Sequence, residues 1–230
     1  MSAFVSTSAF FGLAVSLLAY QAGAILYKKT RFPLFNPLLV AIVLTMVLLA
    51  VFQIPYDGYN AGAKYLSYLL TPATICLALP LYEKLGLLKK NAKAILLGIL
   101  TGVLTTMVCI LALGALLRIS HTAYVTLLPK SITTAIGMGV SEELGGNVTL
   151  TVASIIVTGL LGNITAPMLC RLFRITEPIA KGIAIGSASH AVGTARAMQM
   201  GETEGAMSSL SIAVAGLLTV VVAPLFAQLL

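Results

Sequence analysis

The sequence predicts an all-α polytopic membrane protein with about six transmembrane helices and two broken or re-entrant helical segments. Of its 230 residues, 59% are apolar and 9% are charged, whereas a soluble domain carries about 25% charged residues. The apolar residues form long runs, and the basic residues cluster between those runs. So little charge argues against a soluble enzyme, a nucleic-acid-binding domain or a disordered tail.

Six apolar runs reach the length of a transmembrane helix, which is about 20 residues. They are residues 4–26, 34–54, 64–82, 94–117, 147–169 and 206–228. The loops between them hold three basic clusters: Lys28, Lys29 and Arg31; Lys84, Lys89, Lys90 and Lys93; Arg171, Arg174 and Lys181. The positive-inside rule predicts that these clusters are cytoplasmic and that both termini lie outside. The net charge of +7 then reflects topology and contact with anionic lipid headgroups, not nucleic acid.

Two further segments, residues 121–146 and 182–205, differ in amino-acid composition from the six runs. The first contains LLPKSITTAIGMGVSEELGG, and the second contains GSASHAVGTARAMQM. Irregular backbone at membrane depth survives only inside protein or beside a wet cavity, and interrupted segments mark transporter binding sites. We expect both to be re-entrant, because a full crossing of 121–146 would place Arg171 and Arg174 outside. Eight full crossings remain the alternative.

Smaller features complete the predicted architecture. Pro72 and Pro80 are expected to break the third span. The echo between EKLG (83–86) and EELG (142–145) leaves an internal repeat open. No soluble linker divides the chain, so we predict one domain over residues 1–230.

The first broken segment carries the elements of an anion site. Pro129 biases the chain to leave a helix, and Ser131 is expected to cap a half-helix that begins there. The ammonium of Lys130, the hydroxyls of Thr133 and Thr134 and the free N–H groups of that half-helix would then converge. The alternative is that Lys130 extends to the headgroups near the end of a span.

The second broken segment adds hydroxyls, a histidine and an arginine. Ser187, Ser189 and Thr194 supply hydroxyls, and Gly186 and Gly193 let the backbone turn or approach a ligand. His190 titrates in the physiological range, and Arg196 presents a fork suited to a carboxylate. Alternatively, His190 is a structural histidine, and Arg196 pairs with Glu202 or Glu204.

Other residue patterns point away from enzymatic and metal chemistry. HExxH, GxSxG, P-loop and dinucleotide-binding motifs are missing, so we expect neither an enzyme nor an organic cofactor. Cys76, Cys109 and Cys170 lie in apolar runs and are expected to be buried small hydrophobes, not metal ligands. H⁺ or Na⁺ coupling stays open.

Four sequence stretches together resemble the LrgB/CidB family of bacterial inner-membrane proteins, which is related to the C-terminal half of the plant plastid glycolate/glycerate transporter. They are FPLFNPLLVAIVL (32–44), TPATICLALPLYEKL (71–85), LLPKSITTAIGMGVSEELGG (127–146) and GSASHAVGTARAMQMGETEGAMSSL (186–210). The resemblance spans essentially the whole chain and implies location in the bacterial inner membrane. It also implies a small LrgA/CidA-type partner, and a homodimer is expected.

The resemblance implies two functions. One is a carrier of small monocarboxylates such as pyruvate, glycolate, glycerate or lactate. The other is a holin/antiholin-like regulator of murein hydrolase export and autolysis. The residues favour the carrier, with substrate held by Lys130, Ser131, Thr133, Thr134, Ser187, Ser189, His190, Gly193, Thr194 and Arg196.

Overall fold

The computed structural model describes residues 10–30, 32 and 35–230, and these residues contain helices and no strands. Their contacts divide the chain into two compact units, residues 1–76 and 77–230, which we describe separately. The boundary falls inside a helix, at Cys76 and Leu77, and not in a polar linker. The expectation of one domain stays a prediction.

Unit 1 contains helices α1 (Phe11–Thr30), α2 (Pro37–Val51) and α3 (Tyr56–Ser67), and the first part of α4 (Leu70–Glu83). The side chain of Asn36 caps α2 by accepting hydrogen bonds from the amides of Leu38 and Leu39. Helices α1 and α3 approach closely at Gly12, where a Cβ atom would collide with the Tyr59 carbonyl.

Unit 2 contains the rest of α4 and six further helices. They are α5 (Leu85–Leu117), α6 (His121–Leu127), α7 (Thr134–Glu143), α8 (Val148–Leu172), α9 (Pro178–Met200) and α10 (Glu202–Ala227). Its apolar core includes Ile99 and Met107 of α5, Tyr124 of α6 and Met207 of α10. This core holds the two broken segments against α5 and α10.

Four described helices, α1, α5, α8 and α10, are long and apolar enough to cross a membrane. They correspond to the predicted spans 4–26, 94–117, 147–169 and 206–228, although residues 4–9 lie outside the described part of the chain. The predicted span 34–54 corresponds to α2, whose 15 residues extend about 22 Å. That is shorter than a bilayer core of about 30 Å.

The predicted span over residues 64–82 is interrupted, but not where we expected. Helix α3 ends at Ser67, Tyr68 and Leu69 form a turn, and α4 begins at Leu70. The expected breaks at Pro72 and Pro80 are wrong, since α4 continues through both positions to Glu83. Pro72 lies in the first turn of α4, where the amide hydrogen that proline lacks has no helical partner.

The surface of the described residues is strongly apolar, as a lipid-facing surface requires. Leu97, Leu113, Leu161 and Leu225 are each more than half exposed. Cys170 is buried as expected, but the prediction for Cys76 and Cys109 is wrong because both are exposed. Both cysteines lie in apolar sequence but point outward from the protein. Sequence hydropathy does not distinguish a lipid-facing side chain from a side chain in the core.

Candidate functional site

The first broken segment forms a re-entrant hairpin, which we call hairpin 1 (residues 121–143). Helix α6 begins beside the C-terminus of α10, where Nδ1 of His121 lies 2.9 Å from the Leu230 carbonyl oxygen. The chain turns over residues 128–133 and returns as α7. The amide of Asn147 then donates to Oγ1 of Thr126 over 2.8 Å. The segment that enters hairpin 1 and the segment that leaves it therefore lie side by side, and hairpin 1 starts and ends at the same end of unit 2.

The second broken segment also reverses direction, and we call it hairpin 2 (Pro178–Met200). Ser189 (φ −137°, ψ 20°) and His190 (φ 43°, ψ −145°) interrupt the helix. Before the break, Gly182 packs against Glu204 and Gly186 packs against Ser211; after it, Met198 packs against Gly205. The chain therefore descends along α10 and returns to its starting level, as predicted for a re-entrant segment.

The two hairpins enter unit 2 from opposite ends. Hairpin 2 starts at the end that carries Lys84 and Lys181, which we call the basic end. Lys84 and Lys181 bond to Glu202 and Glu204 at 3.2 and 3.8 Å, so two of the predicted basic clusters share this end. Hairpin 1 starts at the other end, beside Leu230.

The tips of the hairpins meet around a buried polar cavity. Ser131 of hairpin 1 and Ser187 of hairpin 2 line it, together with Thr106 of α5 and Thr219 of α10. Val103, Met107 and Leu128 complete the wall. Its volume is about 10 Å³, which is enough for about one water molecule.

Lys130 lies at the tip of hairpin 1, partly buried, and its Nζ donates to Oγ of Ser131 over 3.3 Å. The ammonium is thereby linked to the cavity through a hydroxyl that lines it. An ammonium at membrane depth is costly unless it is paired or wetted. Among the residues that the structure describes, no carboxylate lies within 4.0 Å of it. The tip therefore presents a positive charge that an anion could neutralise.

The predicted cap of the second half of hairpin 1 is wrong. Turn bonds continue past Ser131, since the amide of Ile132 donates to the Pro129 carbonyl over 3.3 Å. Thr133, which is extended, is the N-cap residue of α7, and Thr134 begins the helix. This leaves the Ser131 hydroxyl free of a capping role and lining the cavity. Thr133 and Thr134 are both half-buried.

The hydroxyls of hairpin 2 mostly bond within the protein. Ser187 and Ser189 donate to the carbonyls of Ile183 and Ile185 over 2.7 and 2.8 Å. The Ser189 hydroxyl therefore bonds back to the first half of the hairpin and does not cap the second half. Oγ1 of Thr194 donates to the His190 carbonyl and lies 2.7 Å from Oγ of Ser208. Among these three, only Ser187 lines the cavity.

His190 has a clear structural contact. Its Nε2 lies 2.9 Å from the Ile155 carbonyl oxygen, and because a carbonyl only accepts, Nε2 carries the proton. This bond ties the break in hairpin 2 to α8. The hydrogen bond to Ile155 therefore fits the alternative that His190 is a structural histidine. Only Nδ1 of the ring remains for proton exchange.

Helix α8 shapes the break through small residues that sequence reasoning missed. A Cβ atom at Gly159 would lie 2.6 Å from Cε1 of His190, and one at Gly162 would collide with Ser189. Asn163 donates from Nδ2 to the Val192 carbonyl over 2.7 Å. Gly193 of hairpin 2 is equally confined, because a Cβ atom there would collide with Oγ of Ser189.

Arg196 lies on the returning half of hairpin 2, and its Nη1 donates to Oε1 of Gln199 over 2.8 Å. The structure does not pair it with Glu202 or Glu204, which instead bond to Lys84 and Lys181. Nor does Arg196 line the cavity. The structure therefore brings Lys130, Ser131 and Ser187 together at the tips and leaves Arg196 nearer the basic end.

Fold and site together define an all-helical, multi-pass membrane protein in which two opposed re-entrant hairpins meet at a buried polar cavity. Comparison with known protein families identifies the family: a model of the LrgB-like family matches residues 16–229. The chain belongs to this family, which confirms the resemblance seen in the sequence.

Relatives share similarity along nearly their whole length. The antiholin-like protein LrgB of Bacillus mycoides (strain KBAB4) is 39% identical over 218 residues, covering 94% of this chain and 95% of the relative. The antiholin-like LrgB proteins of Bacillus cereus (strain B4264) and Bacillus anthracis (strain CDC 684 / NRRL 3495) are 38% identical over the same shares. No solved structure matches. These names agree better with the antiholin-like alternative than with the expected carrier.

Proposed function

We propose that this protein is a secondary carrier of small monocarboxylates of the pyruvate, glycolate, glycerate or lactate type. The observation that carries the proposal is the meeting of two opposed hairpin tips at one polar cavity, lined by Ser131 and Ser187. Broken helices at the centre of a membrane protein are the usual place for transporter sites. Hairpins that start from opposite ends give each side of the membrane its own gate.

In this proposal, Lys130 binds the substrate carboxylate, Ser131 donates a hydrogen bond to one of its oxygens, and Ser187 donates to the other after it releases the Ile183 carbonyl. Thr133 and Thr134 face the same site when hairpin 1 moves, and their hydroxyls bind the oxo or hydroxyl group. Thr194 joins them by releasing Ser208. Arg196, on the returning half of hairpin 2 and outside the cavity, contributes positive charge nearer the basic end. The break at Ser189 and His190, with Gly193 packed against Ser189, provides the hinge, and Nδ1 of His190 is the candidate group for proton coupling.

The cavity is far too small for a three-carbon acid, since it holds about one water molecule. We interpret the structure as a closed form of the carrier. Alternating access would then be the separation of one hairpin tip at a time from α5 and α10, while the other stays closed.

A second candidate function is an antiholin-like regulator, favoured by the names of the relatives. In that role the chain would act with a small membrane partner, and organic acids would not be bound. The two candidates differ in what purified protein does in a vesicle.

The test is uptake of radiolabelled pyruvate and glycolate into proteoliposomes, alone and with the small partner. If the protein is a carrier, we expect saturable uptake. Lys130→Gln should lower the apparent affinity for the acid more than tenfold, because it removes a charged hydrogen bond. Lys64→Gln, which removes a lysine from α3, is the control. Absence of saturable uptake, or leakage of an uncharged dye together with the acids, would contradict the proposal and favour the regulator.

A further inference from the structure

A long groove in unit 2 runs from the basic end to the hairpin tips. Helix α5 forms one wall and the first half of hairpin 2 forms the other, with Gly98 facing Ile183 and Gly102 facing Ser187. Its volume is about 760 Å³, within the range of about 300–1,000 Å³ seen for small-molecule sites. Asn91 and Glu177 lie at its outer end, and Thr106 and Ser187 at its inner end.

The groove ends where the cavity begins. Thr106 and Ser187 line both spaces, so these two side chains form the partition between a wide groove and a closed one-water cavity. The partition is thin because Gly102 lets Ser187 approach α5: a Cβ atom at Gly102 would lie 2.9 Å from Oγ of Ser187. A small rotation of hairpin 2 would therefore join the two spaces.

Three lysines lie close in sequence to Asn91 at the outer end of the groove, although none of them lines it. Lys89, Lys90 and Lys93 are exposed and lie within one helical turn of Asn91, where α5 is kinked (φ −112°, ψ 15°). Within the described residues, none of the three has a carboxylate partner within 4.0 Å. Glu177 is the one acidic residue of the lining, and three unpaired ammonium groups outweigh it. Such clusters attract anions and raise their local concentration.

We propose that the groove between α5 and hairpin 2 is the water-filled route by which the carboxylate passes between the basic end and the site, with Thr106 and Ser187 as its gate. This inference rests on the proposed carrier function and adds the route and the gate. Gly98 and Gly102 let the two walls approach each other, and Ala180 and Ala184 contribute only a methyl group each to the lining.

Cysteine accessibility tests the route without measuring transport. In a variant lacking Cys76, Cys109 and Cys170, single cysteines replace Thr105 or Ala184, both exposed in the groove. Leu104→Cys is the matched control: it lies at the same depth on α5, is 38% exposed, and is outside the groove lining. The probe is the anionic, membrane-impermeant sulfonatoethyl methanethiosulfonate, applied to proteoliposomes and read by mass.

Thiols react as thiolates, which form in water and not in lipid, so we expect the groove cysteines to react at least about tenfold faster than Leu104→Cys. Pyruvate should slow the reaction at Thr105→Cys. Equal, slow reaction at all three positions would overturn the route, because lipid or a partner helix would then fill the groove. Uptake by a protein with an unreactive groove would reject the route alone, and a reactive groove without uptake would reject the carrier alone.

Discussion

Ser131 and Ser187 line one cavity although they belong to hairpins that start from opposite ends of unit 2. Neither hydroxyl is needed to hold its own helix: Ser131 has no capping role, and Ser187 donates to a carbonyl of its own helix over 2.7 Å. Their positions therefore favour a role in substrate binding. Replacing either hydroxyl should change substrate affinity more than the stability of the protein.

Replacing Ser131 or Ser187 with alanine should weaken uptake while leaving the fold intact. Loss of one hydrogen bond costs about 1 kcal/mol, or about fivefold in the apparent KM for pyruvate. Thr165→Ala is the control, because its hydroxyl makes the same kind of bond, to the Leu161 carbonyl over 2.7 Å, away from the cavity. An unchanged KM in both serine variants would remove these residues from the site.

Alanine at Gly162 or Gly193 should destabilise the protein, because each new Cβ atom would collide with Ser189. Overpacking of this kind costs about 1–3 kcal/mol, measured by chemical unfolding in detergent micelles. Gly139→Ala on α7 is the control, since nothing lies within 4 Å of its Cβ position and alanine favours the helix by about 1 kcal/mol. Equal stability of all three variants would contradict both the contact between Gly162 of α8 and the break and the tight packing of Gly193 against Ser189 within hairpin 2.

The side chain of His190 makes a hydrogen bond to α8, but its backbone has a conformation that glycine adopts more readily. Its φ of 43° lies in the left-handed region, and its Nε2 bonds to the Ile155 carbonyl over 2.9 Å. Both His190→Ala and His190→Gly lose this bond, but glycine relieves the backbone strain. We therefore expect His190→Gly to be the more stable of the two by about 1 kcal/mol. The reverse order would contradict the sharp reversal at the hairpin tip.

The two ion pairs at the basic end should differ in strength. Glu204 is buried, with its side chain 10% exposed, whereas the Glu202 side chain is 81% exposed. Lys181→Ala leaves a buried carboxylate unpaired and should cost about 1–3 kcal/mol of unfolding free energy. Lys84→Ala should cost less than about 1 kcal/mol. Both variants remove one positive charge from the same end, so a similar loss in both would indicate an effect of charge and not of burial.

The sequence predicted the hairpins because their glycines, serines and prolines differ from the surrounding apolar runs. The basic clusters then required each to return to its own side, and the contacts of Thr126 and Met198 agree. Which side is cytoplasmic, which membrane holds the chain and whether an internal repeat exists remain predictions. The break before α4 was missed, because an apolar run looks the same whether one helix or two cross it.

The site was only partly predictable. Ser131 and Ser187 stood out in polar segments, but Thr106 and Thr219 lie in apolar runs where a single threonine is usually a packing residue. Gly159 and Gly162 gave no signal either, since small residues in membrane helices usually mark helix contacts. Their roles follow from three-dimensional proximity to Ser189 and His190, which spacing along the chain does not encode.

Counterflow in proteoliposomes tests the central claim most directly. Vesicles containing the purified protein are loaded with concentrated unlabelled pyruvate and diluted into a trace of labelled pyruvate. A carrier that opens one hairpin at a time predicts a transient accumulation of label above its outside concentration, abolished in Lys130→Gln. A leak through an open pore lets label equilibrate without any overshoot, and that result would contradict the account.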